Sequence, residues 1–158
     1  MKKFKFNLEK LLTYKHQILE SEMQRLSMIL SEMHQVELEI GRLNTELRRA
    51  GEDLAKKMAE SVSPVECQTY QNFIDKTRDD IKKAEKRLID LNLERERQID
   101  RIADAKKEHR ALEILKENQY RAYLEENRKA TEREIEEFIS ARESAQQDEE
   151  FEEQRQGD

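Results

Sequence analysis

The chain has 158 residues, of which 35% are hydrophobic and 42% are charged, and its formal net charge is −6. So small an apolar fraction excludes a large globular core, because it could not offset the entropy lost on ordering the chain, and leaves disorder or long helices that bury a narrow stripe. The negative net charge argues against a general nucleic-acid-binding protein.

The first ten residues, MKKFKFNLEK, place lysines and two phenylalanines ahead of a helical pattern. They lack the apolar stretch of a signal peptide. Phe6 and Leu11 have the spacing of a hydrophobic staple at a helix start. Phe4 has two interpretations: it folds back on the second helix near Tyr120 and Tyr123, or it is exposed for a partner.

A single 4-3 spacing runs from residue 8 to residue 54 and predicts a helix over 8–60 that carries a coiled-coil seam. Two seam positions, Lys15 and Glu22, are not apolar. The full set of seam positions is Leu8, Leu12, Lys15, Leu19, Glu22, Leu26, Ile29, Met33, Val36, Ile40, Leu43, Leu47, Ala50 and Leu54.

The segment ESVSPVE, residues 60–66, predicts a turn over 61–63. Ser63 is expected to cap the next helix, with Pro64 at its first position and Glu66 at its third, which is the pattern of a capping box.

A second pattern predicts a helix over 64–145, with a seam that weakens over residues 93–98. Its positions are Cys67, Tyr70, Ile74, Thr77, Ile81, Ala84, Leu88 and Leu91, followed by Ile102, Ala105, His109 and Leu112. The composition of residues 146–158, which are rich in Asp and Glu, predicts a disordered acidic tail.

These patterns predict an all-α fold: one long antiparallel two-helix coiled-coil hairpin over residues 1–145. The second helix is longer than the first and should extend about 25 residues beyond its start. Pairing about the turn places Leu54 near Tyr70 and Met33 near Leu91. A parallel homodimer through the first seam is the competing arrangement, although we expect the free hairpin to be monomeric.

No pattern for catalysis, cofactor binding or metal binding emerges, and we expect none of these. The three histidines lack partners at ligand spacing, no phosphate-binding loop is present, and Cys67 lies on the seam as a structural thiol. No apolar run is long enough to insert in a membrane, so a cytoplasmic protein is expected. The lysines near the turn alternate with acidic residues and indicate a solvated face, with no nucleic-acid partner.

Three stretches together resemble the FliJ family of the bacterial flagellar export apparatus. They are FKFNLEKLLTYK at residues 4–15, YQNFI at residues 70–74, and ALEILKENQ at residues 111–119, the last followed by YLEENR at 123–128 and EEF at 136–138. The length of the chain, the position of the turn and the charge pattern agree with that family along nearly the whole sequence.

The resemblance implies a coiled coil similar to the central stalk of rotary ATPases. Such a protein would insert into the hexameric export ATPase and stimulate it, contact the cytoplasmic domain of the export gate membrane protein, and escort export chaperones. It would lie at the cytoplasmic face of the inner membrane, held there by the export apparatus.

The resemblance also assigns candidate contact residues. Those implied to face the ATPase are Phe4, Phe6, Leu8, Leu112, Leu115, Tyr120, Tyr123 and Arg128. Phe73 would contact the export gate, and the following turns of the same face carry Thr77, Asp80 and Ala84, which are more polar than the family leads us to expect. The alternatives are a general coiled-coil scaffold, a chaperone-like adaptor, or the equivalent subunit of a virulence-type secretion system.

Overall fold

The computed structural model describes residues 2–157 and contains two α-helices, with no strand in that range. The first helix, α1, spans Glu9–Glu60 with 52 residues, and the second, α2, spans Pro64–Gln156 with 93 residues. Their contacts are those of a hairpin. The prediction of an all-α helical hairpin with a longer second helix is therefore confirmed.

The chain divides into two compact units, which are described in turn. One contains residues 14–108, and the other contains residues 2–13 together with residues 109–157. The assignment of residues 1–145 to one domain stays a prediction, and Met1 lies outside the described residues.

In the unit of residues 14–108, Ser63 caps the second helix as predicted. The backbone N–H of Glu66 donates to Ser63 Oγ at 3.2 Å, and the N–H of Cys67 donates to the carbonyl of Ser63 at 3.0 Å. Pro64 is the first residue of α2, where its missing N–H leaves no helical hydrogen bond unmade. These contacts explain why the first helix ends and the second begins at this point.

The same unit buries the predicted seams of both helices against each other. Leu91 is fully buried, and Ala50, Leu54 and Ile74 form a core cluster onto which Tyr70 packs. The predicted proximity of Leu54 and Tyr70 is therefore confirmed. The other buried apolar residues of the unit are Leu43, Ile81, Ile102 and Ala105.

Over residues 93–98, where the apolar seam is expected to weaken, the one buried position is the polar residue Gln98. Gln98 is only 2% exposed, and its side-chain amide donates to the backbone carbonyl of Glu22 at 2.8 Å and to the carboxylate of Glu22. Lys15 pairs with Glu108 across the helices at 2.6 Å. Each polar residue in the first seam thus has a polar partner on the second helix, so a polar layer continues the packing.

In the unit of residues 2–13 and 109–157, an N-terminal segment precedes α1 and lies on α2. Phe6 is 8% exposed, and its carbonyl accepts a hydrogen bond from the N–H of Glu9 at 3.2 Å, in a turn that leads into the helix. The carboxylate of Glu9 pairs with Lys116 of α2 at 2.8 Å. The helix begins at Glu9, one residue later than predicted.

All described residues from 128 onward are exposed, and α2 continues to Gln156. Residues 146–156 are therefore helical where the sequence analysis predicts a disordered acidic tail, while Asp158 lies outside the described residues. The physical reason is that the glutamate, glutamine and arginine residues of this stretch are good helix formers, and the first helix breaker after them is Gly157.

Candidate functional site

An aromatic cluster joins the N-terminal segment to α2. The ring of Phe4 meets that of Tyr120 edge-on at a centroid distance of 5.2 Å and that of Tyr123 at 5.5 Å, and the two tyrosine rings stack at 6.2 Å. Of the two interpretations of Phe4, the structure therefore selects folding back on the second helix. Edge-on and offset ring contacts of this kind add about 0.5–1.5 kcal/mol to simple burial.

A hydrogen bond secures the same segment. The hydroxyl of Tyr123 donates to the backbone carbonyl of Lys2 at 2.6 Å. Tyr120 is 46% exposed, so the cluster is held from one side and open to solvent on the other. A shallow recess of about 350 Å³ next to it is lined by Phe4, Lys5, Phe6, Glu9 and Lys116.

The predicted ATPase-facing residues fall into two groups. Phe4, Tyr120 and Tyr123 are in mutual contact, and Phe6, which follows Phe4 by two residues, is buried. The second group, which does not take part in the aromatic cluster, consists of Leu8, Leu112, Leu115 and Arg128. Leu8 and Leu115 are each 38% exposed, Leu112 is half-buried, and Arg128 is paired with acidic side chains of its own helix.

Arg128 forms ion pairs on its own helix. Its guanidinium donates to Glu125 at 2.8 and 3.1 Å and also contacts Glu132. The hydrogen bond and charge of Arg128 hold the pKa of the Glu125 carboxyl below its ordinary value, and the same contacts raise the pKa of Arg128. A partner would have to compete with these exposed ion pairs for Arg128.

Beyond the aromatic cluster, α2 carries an apolar face whose side chains are about half exposed or more in this unit. Ile135, Phe138 and Ile139 are 53%, 68% and 49% exposed, and Leu124 is 47% exposed. Ile135, Phe138 and Ile139 have an apolar helical spacing in the sequence, but no site is expected there from the sequence. The sequence does contain a signal for such a site. The apolar spacing of the second helix continues past the point where the first helix begins, so α1 has no face there to cover it.

In the unit of residues 14–108, Phe73 stands at the margin of the seam. It is 46% exposed and lines a recess of about 380 Å³ together with Tyr70 and Thr69 of α2 and with Ala50 and Asp53 of α1. The walls of this recess are mainly apolar, so it is suited to an apolar side chain of a partner.

The expected face beyond Phe73 is only partly present. Thr77 is 3% exposed, and its hydroxyl donates to the carbonyl of Phe73 at 2.8 Å, so Thr77 belongs to the seam and is not accessible to a partner. Asp80 and Ala84 are half-buried. The accessible surface here is therefore concentrated on Phe73 and its recess.

No group of three or more histidine, cysteine or acidic side chains is placed to hold a metal ion in the described part of the chain. His16 lies beside Glu20 and His109 beside Glu113, each at a spacing of four residues along its helix. Among residues 2–157, no helix combines the length and the apolar character needed to cross a membrane.

A family model described as the flagellar FliJ protein matches residues 4–149. The match covers the N-terminal segment from Phe4 onward, the turn, both seams and the exposed apolar face of α2. No curated protein and no solved structure matches the sequence.

Proposed function

The chain belongs to the FliJ family and is a component of the flagellar export apparatus, and on that premise we propose that it is a non-enzymatic stalk that inserts into the export ATPase ring and stimulates ATP hydrolysis. The observation that carries the proposal is the aromatic cluster of Phe4, Tyr120 and Tyr123. It holds the N-terminal segment on α2 and leaves an aromatic edge accessible.

The chemistry of this cluster fits a protein contact. Partly exposed aromatic side chains are frequent energetic anchors of interfaces, because they bury a large area and lose little conformational entropy. The exposed residues Lys2, Lys3 and Lys5 accompany Phe4 on the same short segment, so a partner surface with acidic groups around an apolar patch would be complementary.

Within this proposal, Leu8, Leu112, Leu115 and Arg128 extend the ATPase-facing surface, and Phe6 positions the segment. The burial of Phe6 supports a positioning role, whereas the partial exposure of Leu8 and Leu115 supports direct contact. Arg128 contributes only when a carboxylate of the ATPase ring binds its guanidinium more tightly than Glu125 does.

We further propose that Phe73 contacts the cytoplasmic domain of the export gate membrane protein. Its exposure and the apolar recess beside it support an anchor-in-groove contact. This contact would hold the protein at the cytoplasmic face of the inner membrane without any membrane insertion of its own.

The exposed apolar face around Phe138 favours an additional role as an escort of export chaperones. A helix face with Ile135, Phe138 and Ile139 is typical of surfaces that accept an amphipathic partner helix. The same face is what a chaperone-like adaptor would use, so that function is the second candidate. A general scaffold or the corresponding subunit of a virulence-type system would present similar surfaces.

The test is steady-state ATP hydrolysis by the flagellar export ATPase, titrated with this protein. We expect stimulation by the wild type, and we expect Phe4→Ala/Tyr123→Ala to raise the half-maximal concentration roughly 30-fold, as for the loss of an anchor worth about 2 kcal/mol. Phe73→Ala is the matched control, because it removes an exposed aromatic ring from the other unit and should leave stimulation unchanged.

Circular dichroism of all three proteins would show whether their helices are intact. If the wild type, with intact helices, does not stimulate the ATPase, the stalk role is wrong and the chaperone-like adaptor becomes the leading function. If both variants stimulate as the wild type does, the ATPase contact lies elsewhere.

A further inference from the structure

Three arginines from both helices line one recess in the unit of residues 14–108. Arg25 comes from α1, and Arg97 and Arg101 come from α2, four residues apart on one face. The recess has a volume of about 290 Å³, and its remaining lining residues are Ile29, Glu94 and Gln98. We call this the arginine recess.

None of the three arginines has a hydrogen bond or an ion pair within the described chain. Arg42, by contrast, pairs with carboxylates three and four residues away on its own helix. Glu94 stands three residues before Arg97 at the spacing of an ion pair, yet its nearest cation is Arg87 at 3.8 Å. The carboxylate of Glu94 therefore does not neutralise Arg97.

Local electrostatics disfavour this arrangement when nothing is bound. Like charges four residues apart on a helix destabilise it by about 0.2–0.5 kcal/mol, and Arg97 and Arg101 are such a pair. Unpaired cations from both helices around a polar recess indicate a site that lacks its counter-charge.

We propose that the arginine recess binds a helical acidic segment of a partner protein through carboxylates spaced four residues apart. Four residues of a helix rise about 6 Å, so Arg97 and Arg101 present their guanidinium groups at the same interval as two carboxylates on one face of a partner helix. Guanidinium groups bind carboxylates with two parallel hydrogen bonds, which makes each pair specific in geometry.

The other lining residues favour an acidic helix over a compact polyanion. Glu94 places a negative charge at the recess, which would repel a dense phosphate cluster, whereas a helix can direct its carboxylates to the arginines alone. Ile29 is half-buried and offers apolar contact to the methylene groups of a glutamate side chain. Gln98 is held by Glu22 and gives the recess a fixed floor.

This site goes beyond the stalk function, because it shares no residue with the aromatic cluster or with the Phe73 recess. It does not depend on ATPase binding, so it can be tested on the purified protein alone. The measurement is fluorescence anisotropy of a labelled helical peptide with glutamate at every fourth residue. A second peptide of the same composition, with its glutamates distributed around the helix, is the control.

We expect the full-length protein to bind the first peptide and Arg97→Gln/Arg101→Gln to weaken that binding roughly tenfold, since two charge-assisted contacts are lost. The matched control is Arg78→Gln/Lys82→Gln, which removes the same charge from an exposed pair with the same spacing on α2 and should change the affinity less than about twofold. Both variants keep good helix formers, so they should remain folded.

If both double variants weaken peptide binding equally, or if both peptides bind equally well, the binding depends only on overall charge and the proposal is overturned. Tripolyphosphate is the third probe. If it binds the recess and the patterned peptide does not, the site takes phosphate-type anions and the acidic-helix proposal is wrong. Loss of peptide binding in Arg97→Gln/Arg101→Gln alone, without competition by tripolyphosphate, would support it.

Discussion

Replacing Gln98 by leucine should stabilise the hairpin. Gln98 occupies a seam position at 2% exposure, and its amide donates both hydrogen bonds to Glu22 of α1. The substitution keeps the volume of the side chain nearly constant and replaces a buried amide by an apolar group. The buried seam residues on either side of Gln98 on α2, Leu91 and Ile102, are apolar, so the new side chain would extend their apolar contact.

The expected magnitude follows from two opposing contributions. Full burial of a leucine side chain is worth about 1.5–3 kcal/mol. Loss of the hydrogen bonds to Glu22 costs about 0.5–1.5 kcal/mol each, but the half-buried carboxylate of Glu22 can turn to water and recover much of this. The balance is a gain of about 1 kcal/mol in the free energy of unfolding, which raises Tm by roughly 2–4 °C.

The assay is urea denaturation followed by circular dichroism, together with thermal melting. Gln71→Leu is the control, because Gln71 is exposed on α2 and its replacement should change the free energy of unfolding by less than about 0.5 kcal/mol. If Gln98→Leu lowers the free energy of unfolding by 1 kcal/mol or more, the reasoning is refuted, and the polar pair contributes more stability than the leucine can replace.

Two further predictions concern exposed contacts. Arg42→Gln should raise the pKa of the Glu39 carboxyl toward its ordinary value of 4.5, because the hydrogen bond and charge of Arg42 hold it lower. The contribution of this pair to stability exists at neutral pH and is lost as the pH falls through the lowered pKa. The pKa of Glu39 can be measured by a carbon NMR titration, and an equal pKa in the wild type and in Arg42→Gln would contradict the prediction. Tyr123→Phe removes the 2.6 Å hydrogen bond to the Lys2 carbonyl, so amide exchange in residues 2–8 should accelerate by roughly 2–10-fold, and equal exchange in both proteins would count against it.

Periodicity alone predicts most of this fold. The 4-3 spacing of apolar residues locates both seams, and the Ser63–Pro64 pair locates the turn, because capping and proline geometry are local properties of the sequence. The position of the Phe4 side chain cannot be predicted in this way. Its contact with Tyr120 joins residues far apart in the chain, so the sequence leaves two interpretations and only the packed structure selects one.

The features that sequence reasoning misses depend on partners across the helices. Gln98 looks like an interruption of the seam until its contact with Glu22 is known. The arginine recess is likewise invisible in the sequence, because Arg25 meets the face of Arg97 only in the register of the hairpin. The helix over residues 146–156 is missed for another reason: a high density of negative charge suggests disorder, although no breaker occurs before Gly157.

The two polar positions of the first seam explain why the hairpin is favoured over a parallel homodimer. In such a dimer Lys15 would face Lys15 of the other copy and Glu22 would face Glu22, so like charges would be brought together in a partly buried seam. In the hairpin Lys15 meets Glu108 at 2.6 Å, and Glu22 accepts hydrogen bonds from Gln98. The contact of Glu22 with Gln98 adds little net stability, as the expected effect of Gln98→Leu implies, but the charges of Lys15 and Glu22 destabilise the competing arrangement. The apparent defects of the seam therefore specify the intramolecular pairing of the two helices within residues 14–108.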